Sequence, residues 1–163
     1  MRRWLDVLIE LVRRAVATAR HAERGTGRTT RSIGPTARPV EPGVHIEYTP
    51  QLDGDPDPGE VVWTWVPFEE DPSLGKDRPV VIIGRSGDRL SGVALTSRAS
   101  AGRSDIVEVG TGPWDSQGRP SYAKVERLLQ IEPAAVRREG AILNRRRFDA
   151  VVQAVDRLHD VSR

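Results

Sequence analysis

The chain has 163 residues, room for one ordinary domain plus an appendage, and its 37% hydrophobic and 29% charged residues describe a chain that mostly folds. With no cysteine it has neither a disulfide framework nor a thiolate metal site, and its three histidines, His21, His45 and His159, stand nowhere at metal-ligand spacing. The formal net charge of +2 hides a segregation, because residues 48–77 carry 1 basic and 8 acidic side chains while both flanking parts are basic. Residues 1–24 predict an amphipathic helix: Trp4, Leu5, Leu8, Leu11, Val12, Ala15 and Ala19 recur at three- and four-residue spacing, with charges on the other side. Those charges rule out a signal peptide and an integral membrane span. The helix is expected to dock on a partner or on the domain itself, with a membrane surface as the alternative.

Residues 25–57 are dominated by Gly, Pro, Thr and Arg, lose all periodicity, and read as a flexible linker. Strand signals fill the domain at 58–163. "EVVWTWVPF" is rich in β-branched and aromatic residues. An acidic loop, "EEDPSLGKD", separates it from "RPVVIIGR", and "SGD" makes a tight turn into "RLSGVALTS", which predicts a hairpin. "SDIVEVG" and "SYAKVERLLQI" are further strands, joined by the loop "TGPWDSQGRP". Two helices are expected to close the chain. One lies over "EPAAVRREG", with Pro133 in its first turn and Gly140 as its stop. The other is capped by Asn144 and carries an apolar stripe of Phe148, Val151, Val152, Val155 and Leu158. Five or six short strands and a terminal helix give a mainly β (α+β) fold, a small twisted antiparallel β-barrel with a helix over one face or end. No glycine-rich nucleotide loop follows a strand.

Several residues invite chemistry. Arg78 opens an apolar strand beside Pro79, where it either punctuates the strand or presents its guanidinium fork to a phosphate. Thr96 and Ser97 end the next strand, where their hydroxyls suit a capping turn. Trp114, with Arg119 nearby, either stacks on an unpaired base or packs over a barrel end. Glu69, Glu70 and Asp71 are a solvated acidic loop unless they pair with Arg78 or read a base. Trp63 and Trp65 face one side of a strand and are expected in the core. Arg145, Arg146 and Arg147 start a helix against its dipole, as a solvated face or a phosphate patch.

The pieces "PGEVVWTWVPFEEDPSLGKDRPVVIIGR", "GVALTS" and "YAKVERLLQIEP" stand in an order and spacing that resembles the PemK/MazF family of toxins, over about residues 58–158. The resemblance implies an SH3-like barrel, a cytoplasmic homodimer, and a cognate antitoxin whose complex with the toxin binds DNA. It further implies an endoribonuclease without metal or cofactor, cutting single-stranded RNA to 2′,3′-cyclic phosphate and 5′-hydroxyl ends. By motif match Arg78 and Thr96 fall on the family's catalytic positions. Ser97, Trp114, Arg119 and Lys124 are the expected RNA-binding residues. Where many members carry His or Glu before Arg-Pro, this chain reads Pro72-Ser73-Leu74-Gly75, so the proton acceptor is unassigned. The alternative is a non-catalytic barrel that binds RNA or protein, with the N-terminal helix as its docking element.

Overall fold

In the computed structural model of the chain the described residues are 37–39, 43–98, 103–159 and 161. The N-terminal helix expected at 1–24 lies outside them. Eight strands form one curled antiparallel sheet. They are β1 (Ala37–Pro39), β2 (His45–Ile46), β3 (Glu60–Pro67), β4 (Gly75–Ser86), β5 (Arg89–Thr96), β6 (Ile106–Gly110), β7 (Ser121–Ile131) and β8 (Arg138–Ile142), and helix α1 (Arg145–Leu158) follows. The expected fold class holds: the chain is mainly β, a barrel-like sheet with one helix at the C-terminal end.

The main path runs β1-β7-β5-β4-β3-β8. The two longest strands each carry two partners on one edge. β4 pairs with β3 over Gly75–Val81 and with β2 at Gly84 and Arg85. β7 pairs with β6 over Ser121–Lys124 and with β1 over Leu129–Ile131. Ladder irregularities between Ile82 and Gly84, between Val93 and Leu95, and between Glu108 and Gly110 bend the strands, which is how a short sheet curls on itself. The β4–β5 hairpin turns at Gly87, whose φ of +62° suits glycine in a two-residue loop.

Alternation along the strands divides the apolar residues between two faces. Val61, Val81, Ile83, Val93, Leu95 and Ala123 join the larger cluster, with Phe148, Val151, Val152, Ala154 and Val155 of α1. Val62, Val66, Val80, Ile82, Leu129 and Ile131 form a second cluster from the opposite face. Asn144 caps α1, its Oδ1 accepting from the Arg146 N–H at 3.0 Å. Leu158, expected at the end of the apolar stripe, is 48% exposed, and Ala154 is buried instead.

Two expectations from the sequence are corrected. The helix read over 133–140 is a 3-10 turn at Pro133–Ala135 followed by β8. The free edge of β3 offers unpaired backbone groups, and Ala141 and Ile142 pair with Val61 and Glu60 there. The flexible linker read over 25–57 does not extend through residues 43–57. Val44 is 1% exposed in the core, and β2 adds to the sheet. Arg85 bridges Glu47 at 3.2 Å and Asp57 at 2.7 Å. The buried carboxylate of Glu60 accepts from the Gln51 and Asp57 N–H groups at 3.1 and 3.4 Å. Gly, Pro and Asp in this segment serve tight turns, which share their composition with mobile tethers.

Candidate RNA-binding cleft

The strand mouths set the site. Thr64 of β3 pairs with Arg78 of β4, and Thr96 of β5 pairs with Tyr122 of β7. The β4–β5 register runs through Val81↔Val93 and Val80↔Ala94. That ladder ends at Val80↔Ala94, and Arg78 and Thr96 each stand two residues beyond it on their strands. Two cross-strand pairs, Thr64–Arg78 and Thr96–Tyr122, thus flank the mouth of the β4–β5 ladder.

Arg78 is half-buried, and among the described residues no hydrogen bond or ion pair holds its guanidinium. The Thr96 Oγ1 accepts from the Arg98 N–H at 3.2 Å, which fixes the turn after β5 and leaves the hydroxyl proton free to donate. Arg78, Thr96, Ser97, Trp114, Arg119 and Lys124 all line one cleft of about 640 Å³. Lys76, Arg98 and Arg103 line it as well, against the acids Asp77 and Asp115, so cations outnumber acids around it. No histidine is among its lining residues.

Residues 57–159 match the profile of a family described as PemK-like, MazF-like toxin of type II toxin-antitoxin system. The chain belongs to this family. The family is one of endoribonuclease toxins with antitoxin partners. Among solved structures, Mycobacterium tuberculosis toxin MazF-mt6 is 17% identical with a TM-score of 0.46, over 63% of this chain and 99% of its own. A MazE-MazF structure from Deinococcus radiodurans is 19% identical with a TM-score of 0.49, over 65% of this chain and 96% of its own. An endoribonuclease from a mycobacterial species is 13% identical with a TM-score of 0.46, over 66% and 94%. No curated protein matches the chain.

In this PemK/MazF-like toxin the expected site residues gather in one place but differ in how free they are. Trp114 is 4% exposed, and its indole N–H donates to the Ser121 Oγ at 3.1 Å. It packs into the larger core cluster, so the stacking role is withdrawn and the rival reading, packing over the barrel end, holds. Trp63 and Trp65 are only half-buried. Arg119 is held by Asp115 at 3.0 Å, and Lys124 by Glu126 at 2.7 Å. Glu126 also receives Arg103, which grips Asp105. The Asp105 carboxyl is held below the usual carboxylate range, chiefly by that hydrogen bond from Arg103. The Asp115 carboxyl is lowered too, first by the Gln117 N–H and then by Arg119.

Three features escaped the sequence reading: the partner of Asp77, the anchor made by Arg127 and the exposure of Phe68. Asp77, beside Arg78, binds Arg137 at 2.9 Å and so ties β4 to the segment that leads into β8. Arg127 donates from Nη1 to the Pro67 carbonyl at 2.7 Å, anchoring the β3–β4 loop to β7. Phe68, in that loop, is 37% exposed on the cleft. The first two pairs join residues sixty positions apart, beyond any local pattern. The exposure of Phe68 depends on the loop's path. Among the described residues no group of three or more His, Asp and Glu side chains is placed to hold a metal ion. No helix among them is long and apolar enough to cross a membrane.

Proposed function

We propose that this toxin is an endoribonuclease that cuts single-stranded RNA by attack of a 2′-hydroxyl on the adjacent phosphorus. The 2′-O–P bond forms, the P–O5′ bond breaks, the 2′ proton leaves to a base and the 5′ oxygen takes up a proton. The products are 2′,3′-cyclic phosphate and 5′-hydroxyl ends, and the step draws on no metal or cofactor. The observation that carries this reading is that a guanidinium held by none of the described residues and a hydroxyl donor line the same cationic cleft. Arg78 offers a planar fork of N–H donors to the phosphorane oxygens, and such preorganised donors stabilise charge as it develops. Thr96 donates to the same phosphate, and Ser97, exposed at the turn, contacts a neighbouring one. Arg119 and Lys124 reach the backbone by exchanging their carboxylate partners for phosphates, so affinity falls as salt rises.

In this reading the toxin acts in the cytoplasm as a homodimer and is restrained by a cognate antitoxin that competes with RNA for the cleft. One observation favours the second reading, a barrel that binds RNA without cutting it: no His or Glu is among the residues that line the cleft to accept the 2′ proton. The two readings separate in one assay. Purified toxin, freed of any antitoxin, is incubated with mixed single-stranded RNA in EDTA, and the new ends are mapped. Cyclic phosphate and 5′-hydroxyl ends are expected. Intact RNA that nevertheless co-elutes with the protein would establish the binding module, and cleavage only after adding a divalent metal would overturn the proposed chemistry.

A further inference from the structure

A second cavity, of about 280 Å³, opens beside the cleft and shares Phe68, Arg78 and Lys124 with it. Its walls combine four chemistries, the first being the cations Arg78, Lys124 and Arg127. Val66, Pro67, Ala94 and Leu129 supply apolar surface. Phe68 supplies an exposed aromatic face, and its backbone is pinned, since its N–H donates to the Leu74 carbonyl at 2.9 Å and the adjoining Pro67 carbonyl accepts from Arg127. Glu69 and Glu70 supply carboxylates. Neither makes a hydrogen bond or ion pair with Arg78 or with any other of the described residues.

The geometry points to this cavity as a subsite for one unpaired nucleobase whose edge carries hydrogen-bond donors, guanine above all. The inference rests on the RNA reading of the neighbouring cleft. A phosphate is the poorer occupant, because the two glutamates repel it, Lys124 and Arg127 are already engaged by Glu126 and the Pro67 carbonyl, and the apolar wall gives it no hydrogen bonds. A base fits each wall in turn. Its flat face lies on Phe68 and the aliphatic surface, the mode by which unpaired bases are held on proteins. Its edge meets the glutamates, which accept and do not donate. Guanine presents N1–H and the N2 amino group side by side, matching two carboxylate oxygens. Adenine and cytosine present one amino group. Uracil presents a single N–H between two carbonyls, which face the carboxylates unfavourably. Arg78, lining both cavities, stands between the base and the phosphate to be attacked, so the subsite reads a base close to the scissile bond.

The test uses oligonucleotides that cannot be cleaved: 5′-fluorescein-labelled hexamers of deoxyuridine with one central position varied among G, A, C and U, titrated against the full chain by fluorescence anisotropy. The wild type is expected to bind the G hexamer about 10-fold more tightly than the all-uracil one, the scale of a good bidentate base contact. The double substitution Glu69→Gln and Glu70→Gln should bring the two affinities to within about 2-fold. Phe68→Ala should weaken the G hexamer about 10-fold, and Phe68→Trp should retain it. Matching thermal unfolding of all variants guards against loss of fold. Equal affinity of the wild type for all four hexamers, no binding at all, or a G preference that survives both sets of substitutions would overturn the inference. RNA cleavage without base discrimination would leave the ribonuclease reading standing and this one refuted. Discrimination without cleavage would do the reverse.

Discussion

Arg78 and Thr96 each stand two residues beyond the Val80–Ala94 pair that ends the β4–β5 ladder, and both line the same cleft. Each is held in its own ladder, Arg78 opposite Thr64 and Thr96 opposite Tyr122, whereas two loop residues would have to be ordered on binding. Arg78→Lys keeps the charge but loses the planar fork. It should lower cleavage about 10²–10³-fold, the usual cost of removing a preorganised charge-stabilising donor. Thr96→Val keeps the shape of the side chain and removes only the hydroxyl, so cleavage should slow with little change in thermal unfolding. Single-turnover rates on one defined RNA measure both. Undiminished cleavage by both variants would place the chemistry elsewhere in the cleft.

Trp114 is a structural plug. Trp114→Ala should destabilise the fold by about 3–5 kcal/mol, the range for large aromatic side chains removed from a core. Trp114→Phe should cost less, while leaving the Ser121 hydroxyl without its indole donor. Urea unfolding followed by far-UV circular dichroism gives both numbers. A cost below about 1 kcal/mol for the alanine variant would return Trp114 to the surface and to a stacking role.

The folded unit begins before residue 58. A fragment of residues 58–163 loses Val44 and Ile46 from the core, the β2 pairing, and the Glu47 partner of Arg85. It should unfold without a cooperative transition at 25 °C, whereas residues 37–163 should melt cooperatively. A single substitution probes the same junction. Gly84 lies against the His45 backbone where β2 meets β4, and a Cβ there would fall on the His45 carbonyl oxygen. Gly84→Ala should therefore cost about 1–3 kcal/mol by overpacking against backbone that has little room to move. A cooperative, stable 58–163 fragment would show that residues 43–57 are dispensable.

Acid sensitivity should set in late. The carboxyls of Asp105 and Asp115 sit below their ordinary value of 3.8 in the folded chain. A depressed carboxyl contributes stability that is complete above its unfolded pKa and is lost as pH falls through the folded one. Their contribution should therefore be constant from pH 7 to about 5 and decline only below about pH 4. Urea midpoints across this range test it, with Asp115→Asn showing a shallower acid limb. A midpoint that drops between pH 7 and 6 would point to a histidine instead.

Local pattern carried much of this protein. β-branched alternation marked β3, β4, β5 and β7, the Gly87-Asp88 turn marked the hairpin, and Asn144 with Phe148, Val151, Val152 and Val155 marked α1. The order of short motifs also located Arg78 and Thr96, because strand mouths recur at readable intervals. Where a residue's state depends on a distant partner, the sequence was silent or misleading. "EPAAVRREG" has helical composition, yet the open edge of β3 drew its second half into a strand. The turn-rich segment 43–57 looks like a tether, yet Arg85 and Glu60 fold it onto the sheet from positions up to thirty-eight residues away. Trp114 looks exposed among Gly, Pro and Asp until Ser121 and the core close over it. Composition and period report the conformations a segment can adopt. Burial, and the choice among equally accessible hydrogen-bond partners, belong to the packed chain, and with them the difference between Arg78, held by none of the described residues, and Arg119 and Lys124, already paired in the cleft.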